Sequence, residues 1–139
     1  MIALMSRITE LTNRMIVDEL HAHGMEGIVP SHGGILTRLF TGKQYTMQEM
    51  AAAIHRTRPT LTVLVRKLEA QGYVLREKSK ADSRVTFLRI TEKGRALEPV
   101  FREISDQMNA LVYQGLSDDE AQRMSGQLRQ MLERLAGAV

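Results

Sequence analysis

A chain of 139 residues with 43% hydrophobic residues can bury a core, so global disorder is excluded. It has no cysteine, which excludes disulfides, thiolate metal ligands and thiol redox switches. The net charge is only +3, but residues 56–95 hold eleven bases and four acids, a local net charge of +7. A basic middle between acidic flanks predicts that the middle binds an anionic polymer, with an ordinary solvated surface as the alternative.

Composition also bears on the class of fold and on location. Aromatic residues are few, with three Phe, three Tyr and no Trp, while Leu, Met, Ala and Ile are common, which favours helices. No apolar run approaches the roughly 20 residues of a membrane span. The chain begins without a basic stretch followed by a compact apolar segment, so no signal peptide is predicted. We therefore expect a cytoplasmic protein with no membrane partner.

Residues 1–29 are predicted to form an N-terminal dimerisation helix and a linker. Apolar residues at 4-3-4 spacing share one face of this helix: Leu4, Ile8, Leu11 and Met15. The helix should end near Gly24, and Pro30 should start a second helix. Gly33 and Gly34 weaken that second helix locally, which suggests that another helix passes close by.

Residues 30–91 carry the signals of a helix-turn-helix followed by a hairpin. Thr46 and Glu49 have capping-box spacing, so a third helix is predicted from about residue 47 to 54. Thr57 should cap a fourth helix with Pro59 in its first turn. The buried stripe of that helix is predicted to be Leu61, Leu64, Val65 and Leu68. Two β-rich runs, 73–78 and 85–90, then form a hairpin with a long polar tip.

Residues 92–139 are predicted to form C-terminal dimerisation helices. Thr91 should cap a long fifth helix that ends at Gly115, and Ser117 should cap the last helix. The predicted dimerisation side chains here are Leu111, Met124, Leu128, Met131 and Leu135. Narrow apolar seams of this length favour a two-fold dimer, and a monomeric helical cap is the alternative.

The predicted fold is therefore mostly α with a small β-hairpin wing: a winged helix-turn-helix with terminal dimerisation helices. A helix for the major groove followed by a basic hairpin predicts binding to double-stranded DNA. The exposed face of the fourth helix should present Arg58, Pro59, Thr62, Val63 and Arg66, with Thr60 and Lys67 at its margins. Arginine reads guanine, and Thr or Val methyl groups pack on thymine.

Phosphate contacts are expected around this face and along the wing. Arg56, Thr57 and Lys67 are placed to hold phosphates. At the hairpin tip, Lys78 and Lys80 should hold the flanking backbone, and Arg84 is the candidate for insertion into a narrow minor groove. Alternative roles stay open: Thr57 as a cap only, Pro59 as a helix starter only, and the tip as a solvated turn.

The chain resembles the MarR family of bacterial transcriptional regulators over nearly its whole length. The matching stretches are 50–54, 57–62 with 64–65 and 68–69, 72–74, Asp82-Ser83-Arg84 and 88–94. The resemblance implies a homodimer that binds a pseudo-palindromic operator, usually as a repressor relieved by a small ligand. It also implies that Asp82 orients a nearby basic side chain. Val63 and Arg66 depart from the commonest family pattern, which affects the base preference.

Other functions are weighed and not favoured. The chain lacks G-x-S-x-G, a phosphate loop and HExxH, so no enzyme activity is predicted. No cofactor and no metal site are predicted either, although His21 and His23 lie among acids. His32 is a candidate for lining a ligand cleft, with a partly exposed helix-start residue as the alternative. Any ligand should be a small, mostly apolar anion. The competing function is a winged-helix protein-interaction module without DNA binding.

Overall fold

The computed structural model describes all 139 residues as seven helices and three strands. The helices are α1 (Ile2–Ala22), α2 (Pro30–Phe40), α3 (Met47–Ala53), α4 (Arg58–Ala70), α5 (Glu92–Arg95), α6 (Glu98–Val112) and α7 (Asp118–Ala138). The strands are β1 (Tyr45–Thr46), β2 (Val74–Lys78) and β3 (Thr86–Ile90). This mostly helical fold with a small sheet confirms the predicted fold class. None of the helices combines the length and the apolar character needed to cross a membrane.

Side-chain caps fix the starts of α3 and α4 as predicted. Thr46 Oγ1 accepts a hydrogen bond from Glu49 N at 3.0 Å, and Glu49 Oε1 accepts one from Thr46 N at 3.2 Å. Thr57 Oγ1 accepts from Thr60 N at the start of α4. Each cap satisfies an amide that the helix itself leaves without a partner. Residues 54–57, between the end of α3 and the start of α4, form the turn of a helix-turn-helix.

The core of residues 30–91 is built from one apolar stripe on each helix. On α4, Leu61, Val65 and Leu68 are each 0% exposed, whereas Leu64, predicted in the same stripe, is only partly buried. The remaining large hydrophobic side chains buried in this region are Ile35, Leu36, Leu39, Met47, Met50, Tyr73, Val74 and Leu88. Burying each such side chain contributes about 1.5–3 kcal/mol, so this region carries its own hydrophobic stabilisation.

The sheet has the strand order β1-β3-β2, and both pairings are antiparallel. In the hairpin, Val74 pairs with Ile90 and Lys78 with Thr86, which confirms both predicted strands to within one residue. Strand β1 was not predicted, because two residues are too short to show a period-2 pattern. It places Tyr45 opposite Leu88 and so joins the start of α3 to the wing.

The prediction of one long fifth helix after Thr91 is wrong. The structure has a short α5, a break at residues 96–97, and a separate α6. Pro99 explains the break, because it has no N–H to donate to the Arg95 carbonyl and its ring would collide with that carbonyl. In the first turn of a new helix, proline is well accommodated.

Two glycines mark close approaches of the backbone. A Cβ on Gly94 would come closer to the Tyr73 carbonyl oxygen than the sum of their van der Waals radii allows, so α5 can pack at this depth only with glycine there. A Cβ on Gly33 would lie 3.1 Å from Cε1 of Phe101, a residue of α6. The predicted close passage of another helix at Gly33 is therefore confirmed.

The chain divides into two compact units, Met1–Ile104 and Ser105–Val139. In the first unit, α1 buries only Leu20. In the second unit no residue is buried. The predicted dimerisation side chains are exposed, except Met131, which is partly buried: Leu4, Ile8, Leu11, Met15, Leu111, Met124, Leu128 and Leu135. Within the chain, these apolar side chains are therefore not buried as the side chains of a core are.

Candidate nucleic-acid interface

The outer face of α4 presents cations without partners beside an apolar side chain. Arg58 and Arg66 are exposed, and neither forms an ion pair within the chain. Val63 lies between them in sequence and is 66% exposed. An exposed valine and unpaired arginines on one helix do not stabilise the monomer. They are suited to contacts with the methyl groups and acceptors of base edges.

The amino end of α4 is ordered by short-range hydrogen bonds. The Thr57 hydroxyl donates to Thr60 Oγ1 at 3.0 Å, and the Thr62 hydroxyl donates to the Arg58 carbonyl at 3.0 Å. Pro59 lies in the first turn, as predicted. Arg56 is exposed and its guanidinium donates to the carbonyl of His55 at 3.2 Å. The side chains predicted around this end therefore lie together at the start of one helix.

The turn before α4 contains a strained residue that the sequence did not indicate. His55 has φ +56°, the only positive φ on a residue other than glycine. The left-handed region costs an L-residue with a Cβ about 1–2 kcal/mol. The backbone turn between α3 and α4 therefore keeps this conformation at an energetic cost.

The wing tip is a structured turn. Ser79 Oγ accepts hydrogen bonds from Ala81 N at 3.2 Å and Asp82 N at 3.3 Å. Arg84 donates to Asp82 three times: through its backbone N at 3.0 Å, through Nε at 3.1 Å and through Nη2 at 3.1 Å. The side-chain hydrogen bond from Arg84 is the main cause that lowers the pKa of Asp82. The carboxylate thus fixes the plane of a guanidinium that is itself 89% exposed.

Some of the other basic residues of this region form ion pairs with acidic side chains, and some form none. Arg76 Nε lies 2.9 Å from Glu69 Oε1, and Arg89 Nε lies 2.9 Å from Glu77 Oε2. Six of the bases predicted to contact DNA form no ion pair: Arg56, Arg58, Arg66, Lys67, Lys78 and Lys80. Lys93 and Arg95 are also unpaired, and Arg84 is paired with Asp82. Ion pairing therefore neutralises two bases of the wing strands and leaves those of α4 free.

A small cleft joins α4 to the wing. Its volume is about 120 Å³, and it is lined by Thr46, Met47, Gln48, Arg58, Arg84, Val85 and Thr86. Sequence reasoning selected Arg58 and Arg84 but missed Gln48 and Thr86. The pairing of β1 with β3 brings the start of α3 here, and the sequence carries no clear signal for that pairing.

Lys67 lies at the opposite end of α4 from this cleft and contacts a different part of the chain. A Cβ on Gly27 would lie 2.8 Å from both Cε and Nζ of Lys67. One helical turn on, Gln71 Nε2 donates to the Glu26 carbonyl at 3.1 Å. These contacts connect the carboxyl half of α4 to the segment that follows α1. The structure therefore does not bring Lys67 together with the other predicted phosphate contacts.

His32 is buried, with only 5% of its surface exposed, so the alternative of a partly exposed helix-start residue is wrong. Val29 N donates to His32 Nδ1 at 3.0 Å, which caps α2 from its first turn. Burial lowers the pKa of His32, and the positive charge of Lys67 lowers it further. His21 and His23 belong to no group of three potential metal ligands.

A capped helix-turn-helix, an exposed second helix with unpaired arginines and an adjoining β-hairpin define a winged helix-turn-helix protein. Residues 30–86 match the model of the MarR family. This match confirms the resemblance seen in the sequence for the winged-helix region.

The similarity extends beyond this region. The chain is 26% identical over 129 residues to the HTH-type transcriptional regulator MhqR of Bacillus subtilis, covering 92% of this chain and 86% of that protein. It is 45% identical over 49 residues to the HTH-type transcriptional regulator SarZ of Staphylococcus haemolyticus, covering 35% and 33%. The structure of S. aureus MepR in complex with DNA is similar with a TM-score of 0.86 and 27% identity, covering 95% of this chain and 96% of that one.

Proposed function

We propose that this protein is a sequence-specific DNA-binding transcriptional regulator that works as a homodimer in the cytoplasm. The observation that carries the proposal is the outer face of α4, where Arg58, Val63 and Arg66 are exposed without partners. The DNA complex of MepR, a protein of the same fold, supports DNA as the partner. The relatives MhqR and SarZ are transcriptional regulators, which disfavours both an enzyme and an interaction module without DNA binding.

In this proposal α4 is the recognition helix and lies in the major groove. Arg58, Pro59, Thr62, Val63 and Arg66 face the base edges, with Thr60 at the margin. Arg56 and Thr57 contact phosphates at the amino end of the helix. Lys67 lies at the opposite end of α4, beside Gly27, and would contact a phosphate there only weakly. On the wing, Lys78, Lys80 and Arg84 contact the flanking DNA, with Asp82 orienting Arg84.

The homodimer is proposed from the exposed apolar seams of α1, α6 and α7. Single exposed leucines are ordinary, but seams that repeat along whole helices indicate an interface. The seam residues named above would be covered by a second copy, and residues 1–29 and 92–139 would serve dimerisation. Two-fold pairing then presents two recognition helices to an inverted repeat, with half-sites spaced by about one helical turn of roughly 34 Å.

Repression relieved by a small ligand is the regulatory part of the proposal. A cavity of about 520 Å³ within Ser105–Val139 is lined by Tyr113, Leu116, Asp118, Ala121, Gln122, Ser125 and Arg129. Its volume lies in the range of small-molecule sites. Its lining holds one base, Arg129, and one acid, Asp118, and neither forms an ion pair. His32 remains a second candidate position for ligand contact.

Selection of bound duplexes from a random or genomic DNA pool tests the function. We expect an inverted repeat, and affinity for it should fall steeply with salt because several phosphates release counterions. Arg66→Ala should lower the affinity by about 1–3 kcal/mol and relax the preference at one base pair. The matched control is Arg7→Ala on α1, which removes the same charge outside the winged helix. Recovery of no repeat, or a flat salt profile, would contradict the proposal.

A further inference from the structure

Val63 is the most exposed of the large hydrophobic side chains in residues 30–91, with 66% of its surface open to solvent. The two helix positions that lie two residues before and after it, Leu61 and Val65, are each 0% exposed. Because each residue turns the helix by about 100°, two residues correspond to about 200° around the axis. Val63 therefore points away from the core, on the outermost line of α4.

The same outer line of α4 carries Pro59 and Arg66. Pro59 lies four residues before Val63 and Arg66 three residues after it, so both lie within about 60° of its direction. Both are exposed, and Arg66 forms no ion pair. The single acid of α4, Glu69, is paired with Arg76 at 2.9 Å. Val63 thus lies between an apolar ring and a free guanidinium, on a helix without a free carboxylate.

The chemistry of valine restricts what it can contact in a major groove. Its side chain neither donates nor accepts a hydrogen bond, and the C5 methyl of thymine is the apolar group that base edges present there. Placed against a base donor or acceptor, valine would displace water without replacing its hydrogen bond, which costs free energy. Placed against a methyl group, it loses nothing. The β-branched side chain also has one preferred χ1 rotamer in a helix, so such a contact requires little further ordering.

We propose that Val63 selects a thymine in each half-site by packing on its C5 methyl group. This inference rests on the proposed function and names one base of the operator. Arg66 lies about 4.5 Å further along the helix axis, and base pairs follow one another at about 3.4 Å. The thymine therefore lies within about two base pairs of the base that Arg66 contacts. The departure of Val63 from the commonest family pattern thus has a specific consequence for base preference.

Removal of single methyl groups from the DNA tests this contact. In the duplex that wild type selects, each thymine is replaced in turn by deoxyuridine in both half-sites, which keeps the base pair and removes only the methyl group. At one position, wild type should bind about 15-fold more weakly, or about fourfold per buried methyl group in each half-site. Val63→Ala should bind the unmodified duplex more weakly by a similar factor and respond to that replacement by less than about twofold.

Alanine suits an exposed helix position, so Val63→Ala should fold, and circular dichroism verifies it. The matched control is Leu75→Ala, which shortens the other exposed large hydrophobic side chain of residues 30–91, on β2. This control should keep the full response of wild type to deoxyuridine.

The outcomes separate this inference from the proposed function. If wild type selects no duplex, the proposed function fails, and the thymine contact fails with it. If the selected half-site holds no thymine, or Val63→Ala responds to deoxyuridine as wild type does, the thymine contact is wrong and DNA binding stands. If Val63→Ala instead dissociates the dimer in sedimentation, Val63 contacts a second copy of the chain and the proposal is overturned.

Discussion

The winged-helix region and the terminal helices carry the same kind of apolar spacing but differ in what covers it. In α4 the apolar stripe is packed by other elements of the chain, and Leu61 is 0% exposed. In α7 an equally regular stripe is open, and Leu128 is 48% exposed. Helical periodicity therefore identifies an apolar face without telling which surface buries it. A region whose face is covered within the chain can carry its own stability, and a region whose face is open requires a partner.

Replacing one glycine in each region by alanine is the strongest test of this difference between the covered and the open regions. Gly94→Ala should destabilise the protein by about 3 kcal/mol or prevent folding, because the new methyl group collides with the Tyr73 carbonyl. Gly126→Ala on α7 meets nothing within 4 Å and should stabilise its helix by about 0.5–1 kcal/mol. Chemical denaturation at fixed protein concentration measures both. Equal effects of the two substitutions would remove the distinction between the regions.

A charge placed in the open seam should separate the copies without unfolding them. Leu128→Glu should weaken dimerisation by about 2 kcal/mol or roughly 30-fold, because an unpaired carboxylate would be buried at the interface. Gln127→Glu adds the same charge one residue away, about 100° around the helix, and should leave the dimer intact. Analytical ultracentrifugation measures the dissociation constants. A wild type that sediments as a monomer at micromolar concentration would refute the dimer.

Stability should fall at acidic pH because of His32. Its pKa is lowered below the usual value of 6.5, so the unfolded chain binds this proton more readily than the folded chain. The contribution of His32 to the free energy of unfolding is complete above pH 6.5 and is lost as the pH falls from 6.5 through the folded-state pKa. The free energy of unfolding then changes by at most about 1.4 kcal/mol per pH unit. His32→Gln keeps a side-chain cap on α2 and should flatten this part of the profile. Urea midpoints between pH 5 and 8 measure the difference, and parallel profiles would contradict it.

The smallest expected effect is a gain in stability when His55 is replaced by glycine. Glycine accepts its φ of +56° without a Cβ clash, so His55→Gly should stabilise the winged-helix region by about 1 kcal/mol. His55→Ala retains the strained Cβ and serves as the control, with no gain expected. Thermal unfolding distinguishes the two variants. A loss of stability in His55→Gly would mean that the imidazole makes contacts worth more than the strain.

Most of the fold could be predicted from local signals in the sequence. Capping residues such as Thr46 and Thr57 act within one turn, so the sequence places the starts of α3 and α4 correctly. Pro99 is an equally local signal, but the prediction of one continuous fifth helix did not take it into account. Strand β1 and the cleft beside it depend on a pairing between distant residues, Tyr45 with Leu88, which no local pattern encodes. The sequence therefore named the arginines of the candidate site but not the surface that brings them together.

The end of α4 is attached to the segment that follows α1. Gln71 Nε2 donates a hydrogen bond to the Glu26 carbonyl, and Lys67 lies beside Gly27. A ligand or partner that displaces residues 26–27 would therefore act directly on α4 and change its orientation within the winged helix.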